Sequence, residues 1–186
     1  MSLAHALLAA LSHAPATGYD LSHHFERSLG HFWPASHQQI YRELARLEAE
    51  GWVEFEAQAG AGRPGRKIYR LTSPGCSELQ RWLALPGEPP PIRDALLVRL
   101  YGGAEPEVLL TELRRQQDFH RQRLEFYQQI ETAYFPEPAR LDYKRRLIWL
   151  TLQAGLMYQR QRLAWFELAL NEIGGCASGR AEPLIH

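Results

Sequence analysis

Arg63, Arg66, Lys67 and Arg70 fall between Gly60 and Arg70 with no acid among them. Guanidinium and ammonium groups gathered on a Gly/Pro-rich loop suit phosphate oxygens, and an arginine there can also enter a narrow minor groove. The acids cluster elsewhere, at Glu43, Glu48, Glu50, Glu54 and Glu56, so a formal net charge of zero conceals a local basic segment. A second, polar group lies upstream, from Ser36 to Arg42. With Ile40 set at zero on a helical wheel, Leu44 and Leu47 fall within about 40° of it and face inward. Gln38, Arg42, Ala45 and Ala49 lie roughly opposite, with Gln39 and Tyr41 on the flanks. Gln and Arg are the side chains that pair bidentately with adenine and guanine edges in a major groove, and alanines allow close approach.

Residues for other chemistries are missing from the pattern. No nucleophile elbow, HExxH, P-loop or paired-carboxylate motif occurs, so an enzyme is not expected. Gly60-Ala61-Gly62-Arg63-Pro64-Gly65 matches GxGxxG, but a strand-like segment follows it where a dinucleotide site needs a helix, so no cofactor is expected. Six of the eight histidines lie in the first forty residues, at His5, His13, His23, His24, His31 and His37. They have no Cys or carboxylate at ligand spacing, so no metal is expected, and His37 is the candidate for a DNA contact. Cys76 and Cys176 are far apart, which fits a reducing compartment. Cys76 reads as a core residue near a helix start.

The elements that must carry these groups follow from periodicity. Leu3, Leu7, Leu8 and Leu11 mark a first helix behind Ser2, and Thr17 starts a second with Leu21, Phe25 and Leu29 inward. Ser36 and Gln39 form a capping-box pattern ahead of Ile40, Leu44 and Leu47, and Gly51 stands where a C-terminal cap belongs. Trp52–Glu56 and Lys67–Leu71 alternate as strands do, with the basic segment as hairpin tip. Thr72 or Ser73 then caps a helix with Cys76, Leu79, Trp82 and Leu83 inward.

Pro86-Gly87-Glu88-Pro89-Pro90-Pro91 is the clearest linker, and everything beyond it reads as helix. A short helix carries Ile92, Leu96, Leu97 and Leu100. Long ones run from about Glu105 to Tyr134 and from about Pro138 to Ile173. Leu147, Leu150, Ala154, Met157, Gln161, Ala164 and Leu168 alternate spacings of three and four, a coiled-coil-like seam expected to join two copies of the chain. Phe119, Phe126, Trp149 and Trp165 are expected to line a site for a small aromatic ligand. Apolar residues make up 45% of the chain and charged ones 23%, the apolar runs are short, and the first residues carry no leader pattern. No membrane association and a cytoplasmic location are therefore expected.

Three blocks together resemble the PadR family of transcriptional regulators: GYDL at Gly18 to Leu21, IYRELARLEAEGWV at Ile40 to Val53, and GRPGRKIYRLT at Gly62 to Thr72. RDALLVRLYGG from Arg93, followed by two long helices, resembles the longer subgroup with a helical C-terminal domain. The resemblance implies a winged-helix dimer that represses a nearby operon and is released by a small phenolic or hydrophobic compound. It also places Tyr41 near the DNA backbone and matches Tyr69 to an aromatic of the wing strand. Ile68 stands where the family often has an aromatic, and His37 where it commonly has a small residue.

The expected fold is mainly α: a winged helix-turn-helix domain at 1–86, a Pro-rich linker at 87–91, a helical dimerisation and ligand-sensing domain at 92–173, and a disordered tail at 174–186. The expected partners are double-stranded DNA, a second copy and a phenolic or hydrophobic effector. DNA would be met by Ser36, His37, Gln38, Gln39, Tyr41, Arg42, Arg63, Arg66 and Lys67. The rival reading is a winged-helix module for protein contact alone, which would suit an uncharged wing.

Overall fold

The computed structural model describes residues 3–27, 33–60, 63–87 and 91–178, in two compact units, Met1–Pro89 and Pro90–His186. In the first unit helices α1 (Leu3–Leu11), α2 (Gly18–Arg27) and α3 (His37–Ala49) precede strands β2 (Val53–Gly60) and β3 (Arg63–Leu71) and helix α4 (Ser73–Leu83). A short strand β1 (Ala16–Thr17) pairs with β3, giving an antiparallel sheet in the order β1-β3-β2. Ala4, Leu7, Leu8 and Leu11 of α1 meet Leu21, Phe25, Ile40, Leu44, Leu47, Val53, Tyr69 and Leu79 in one core. Each such leucine stabilises the fold by about 1.5–3 kcal/mol, so α1 is a structural strut of α3.

Helix ends are set locally. Thr17 caps α2: its hydroxyl oxygen accepts from the Asp20 N–H at 3.1 Å, and the Asp20 carboxylate accepts from the Thr17 backbone and hydroxyl. Ser36 and Gln39 make the reciprocal capping box on α3. At its other end Gly51 adopts φ +72°, while the Gly51 and Trp52 N–H groups donate to the Glu48 and Leu47 carbonyls. Only a residue without Cβ takes that left-handed turn readily, and it swings the chain straight into β2.

Three expectations about this unit change. Both strands run further into the Gly/Pro/Arg segment than their alternation suggests, with an irregularity between Gln58 and Gly60. Ala16 and Thr17 are not merely a break between helices, because they pair with Tyr69 and Ile68. On α4 the inward face is Gly75, Leu79 and Trp82, and Cys76 and Leu83 are exposed. Each lies one residue, about 100°, round the helix from that face. Ser2 and Leu29 lie outside the described residues.

The second unit is a helical hairpin. Asp94 caps α5 (Ala95–Tyr101), which is followed by α6 (Pro106–Tyr134), a 3₁₀ turn at Pro138–Arg140 and α7 (Tyr143–Ser178). Leu96, Leu109, Leu113 and Phe166 form a cluster at one end of the α6–α7 pair, and Tyr127, Phe135, Leu152 and Leu156 form one at the other. Ile92 is exposed outside α5, not part of it. The last helix starts at Tyr143 rather than near Pro138, because the Asp142 carboxylate accepts from the Arg145 N–H and caps it there. It also continues through Gly174 and Gly175 to Ser178, where a tail was expected. Each glycine costs about 1 kcal/mol against alanine, but extending a formed helix is far easier than starting one, and Ile173 still packs on the hairpin. The remaining tail residues, 179–186, lie outside the described residues.

Candidate nucleic-acid interface

The anchoring of α3 decides which side chains it presents. Ile40, Leu44 and Leu47 are completely buried, so the opposite face must be solvated. Ser36, His37, Gln38, Gln39, Tyr41, Arg42, Ala45 and Ala49 are all exposed. Two of these already have structural duties: the Ser36 hydroxyl and the Gln39 side-chain oxygen are engaged in the cap. Tyr41 is half exposed and lies over the start of α2, against Gly18.

The cations of this unit differ in what already holds them. Arg46 is bracketed on its own helix by Glu43 at 2.6 Å and by Glu50, and the bond to Glu43 leads in raising its pKa. Arg70 donates to Glu54 across the strands at 2.9 Å. Lys67 stands 3.7 Å above the Phe55 ring and 3.7 Å from Glu48, tethered to the body of the unit rather than carried at the tip. Arg42 and Arg66 are exposed and make no ion pair among the described residues. Among the described side chains of this unit, these two cations are left available to an anionic partner.

Arg66 pairs opposite Gln58 beside the strand irregularity, which places it on the outer part of the hairpin. It also contributes to holding the Asp20 carboxyl below its ordinary range, after the hydrogen bonds from Thr17. The wing thus lies near the start of α2. Arg63 begins β3, and its side chain lies outside those described.

Tyr19, not singled out in the sequence, and His23, one of the histidines named there, lie beside this face. Tyr19 is exposed on α2, its ring edge-on to His23 at 4.4 Å, and His23 stands edge-on to His37 at 6.5 Å. Tyr19 and His23 are four apart on one helix, and that spacing was the available signal.

In the helical unit, Leu147, Leu150, Ala154, Met157, Gln161, Ala164 and Leu168 are all exposed. They form a stripe on the face of α7 turned away from α6, whereas Leu152, Leu156, Gln159 and Phe166 pack inward. Phe119, Phe126, Trp149 and Trp165 do not converge on one site. Phe126 and Trp149 pack on one core cluster, Trp165 on the other, and Phe119 is exposed. Trp149 and Trp165 are separated by about 24 Å of helix at roughly 1.5 Å per residue, so antiparallel packing sends them to opposite ends. An open hollow of about 360 Å³ lies at the α6 end, lined by Glu131, Thr132, Phe135, Pro136 and Pro138. Between the clusters His120 is buried, with its Nδ1 hydrogen-bonded to the Gln159 side-chain oxygen and its ring packed on Phe166. Among the described residues no group of three or more His, Cys, Asp or Glu could hold a metal ion, and no helix is long and apolar enough to cross a membrane.

Known proteins share this arrangement along nearly the whole chain. The PadR-like transcriptional regulator family model matches residues 7–81, and the C-terminal domain of virulence activator alpha matches residues 92–174. A probable transcriptional regulator of Mycobacterium tuberculosis is 34% identical over 90% of this chain and 95% of its own length. The virulence activator AphA of Vibrio cholerae is 34% identical, with a TM-score of 0.76 over 94% of this chain and 99% of its own. PadR of Bacillus subtilis, a negative transcriptional regulator, in complex with operator DNA is 26% identical, with a TM-score of 0.77 over 92% of this chain and 98% of its own. The same protein in complex with p-coumaric acid matches with a TM-score of 0.70 over the same shares of both chains. A winged helix with free cations on α3 and the wing, joined to a long helical hairpin and matched over its length by such relatives, makes this chain a member of the PadR-like family of transcriptional regulators.

Proposed function

We propose that the chain is a sequence-specific DNA-binding regulator that acts as a homodimer on a palindromic operator. Residues 1–86 bind DNA, with α3 in the major groove and the β2–β3 wing on the flanking backbone, and residues 92–173 dimerise. The observation that carries the reading is the availability of Arg42 and Arg66 where Arg46, Lys67 and Arg70 are each held by an acid. Arg42 and Gln38 meet base edges, while Arg63, Arg66, His37 and Tyr41 meet phosphates. A module for protein contact alone gives no reason for those two cations to stand unpaired.

Dimerisation is supported by the apolar stripe on α7, since a monomer leaves Leu147, Leu150, Met157 and Leu168 in water. Two copies double the short reading of one winged helix and impose the symmetry of the site. The proposed sign is repression, which needs only occupancy of a promoter, as for the negative regulator PadR; activation needs a further contact with the transcription machinery. The proposed effector is a small phenolic compound, supported by the relative solved with p-coumaric acid. It is proposed to act in the cytoplasm.

The test is selection of duplexes retained by the intact protein from a random-sequence pool, with light scattering of the free protein. A palindromic consensus and a dimer are expected. A pool that stays random at low salt, with a protein that remains monomeric, would overturn the reading.

A further inference from the structure

Asp94 uses its two carboxylate oxygens on two different helices. Oδ1 accepts from the Leu96 and Leu97 N–H groups, at 2.9 and 3.4 Å, and so caps α5. Oδ2 stands 2.9 Å from Nη1 of Arg162 on α7, in an ion pair whose side chains are only 21% and 15% exposed. The Arg162 guanidinium also lies over the Trp165 and Phe166 rings, 4.8 Å from each centroid. Its Nε is buried with no hydrogen-bond partner among the described residues. The same turn of α7 carries Gln161 and Ala164 on the exposed stripe.

Stability alone does not call for this pair. Leu96 is already buried with Leu109, Leu113 and Phe166, and Leu100 packs beside them. Such contacts attract without direction, so they let a short helix turn or slide at small cost. A partly buried ion pair adds little net stability because each charge gives up water, but any shift leaves a charge unpaired, so it selects one register. Helix α5 is the first element after the linker at 87–91, whose three consecutive prolines suit a semi-rigid spacer. The direction in which the chain enters the helical unit is therefore set at Asp94.

We infer that Asp94 and Arg162 are positioning residues for operator spacing. The pair locks the entry of the linker to the helix whose exposed stripe meets the second copy, and so sets the separation at which two DNA-binding units are held. This inference rests on the dimeric DNA-binding reading above. Two half-sites are met together only when the readers stand one helical turn, about 34–36 Å, or a multiple of it apart, and one inserted base pair turns the half-sites by about 35°. A loosened α5 spreads that separation. The selected palindrome then loses its advantage over duplexes of altered spacing, while each unit keeps its own contacts.

The experiment measures the affinity of the intact protein for its selected palindrome and for two duplexes with one base pair inserted or removed at the centre. The wild type should prefer the selected spacing by about tenfold. Asp94→Asn keeps an oxygen for the cap but not the ion pair, and Arg162→Met keeps the stem over Trp165 and Phe166. Each should cut the preference by at least about threefold, with affinity for random duplex unchanged and the dimer retained in sedimentation. The double variant leaves neither charge unpaired, so it should fold best of the three and lose the preference no further than either single change. A preference that survives in the double variant, or affinity that falls equally on all three duplexes, would make the pair merely structural and overturn the inference. Nitrogen NMR of the wild type serves without any variant: the Arg162 guanidinium should rotate slowly, and free rotation would equally overturn it. A wild type that binds no duplex would instead overturn the reading on which it rests.

Discussion

Tyr41 lies so close over Gly18 that a β-carbon there would stand 2.5 Å from the Tyr41 Cε1 atom and 2.9 Å from Cζ. Helices α3 and α2 thus meet through a ring laid on bare backbone, at a position where a β-carbon would displace that ring. Gly18→Ala must push the ring aside, and because Tyr41 is half exposed and its ring can swing outward, the cost should be at the low end of overpacking, about 1 kcal/mol or less. Tyr41→Ala empties the space, so the cost of Gly18→Ala should largely vanish in that background. Urea denaturation of the four proteins measures the coupling. Equal costs of Gly18→Ala in both backgrounds would show that the contact is not what requires the glycine.

The division between free and tethered cations predicts unequal effects on DNA binding. Arg42→Ala should cost about 1–3 kcal/mol on the selected site and little on unrelated duplexes, as loss of a base contact does. Arg66→Ala should weaken all duplexes alike and flatten the salt dependence by about one counterion per subunit. Lys67 is already engaged with Phe55 and Glu48, so Lys67→Ala should change the salt slope less than Arg66→Ala. Fluorescence anisotropy across a salt series separates the three. Identical slopes for Arg66→Ala and Lys67→Ala would remove the distinction.

The stripe on α7 makes a prediction about assembly. Met157 and Leu150 are 65% and 50% exposed in a single chain, so a charge there should disturb the monomer fold little. Met157→Glu or Leu150→Glu should nevertheless split the dimer, because paired copies would bury like charges. Sedimentation should show a monomer with unchanged far-ultraviolet circular dichroism, and operator affinity should fall at least tenfold. A dimer that persists in both variants would place the interface elsewhere.

Helix α3 was the most legible part of the sequence, because its cap, its three-residue core stripe and its terminal glycine all agree on its bounds. Ser36, Ile40, Leu44, Leu47 and Gly51 behave as periodicity and capping require. What was not legible depends on partners distant in sequence. Ala16 and Thr17 form a strand only because Ile68 and Tyr69 offer an edge, and nothing local to Pro15–Gly18 carries that information. Cys76 looks apolar at the sequence level, but whether it or Gly75 faces inward turns on a rotation of about 100° that only packing decides. The aromatics of α6 and α7 failed as a single site for a related reason. Composition shows that large rings are present, whereas antiparallel pairing decides which end each one reaches.

Buried His120 gives the helical unit a pH dependence whose sign can be worked out. Burial, which is the largest effect, lowers its pKa, and nearby Arg162 acts in the same direction; the Gln159 hydrogen bond and Asp94 oppose them in part. The folded state therefore holds the neutral imidazole at a pH where the unfolded chain, with an ordinary value near 6.5, already binds a proton. Stability is then fully present above the unfolded value and declines as pH falls through it, levelling off below the lowered folded value. A single group accounts for a slope of at most about 1.4 kcal/mol per pH unit in that window. Thermal denaturation at fixed protein concentration should show a midpoint that drops on acidification from about pH 7 to about pH 5. His120→Gln should flatten the dependence. If acidification leaves the midpoint untouched, or if His120→Gln melts with the wild-type pH profile, this histidine does not couple the packing of α6 on α7 to pH.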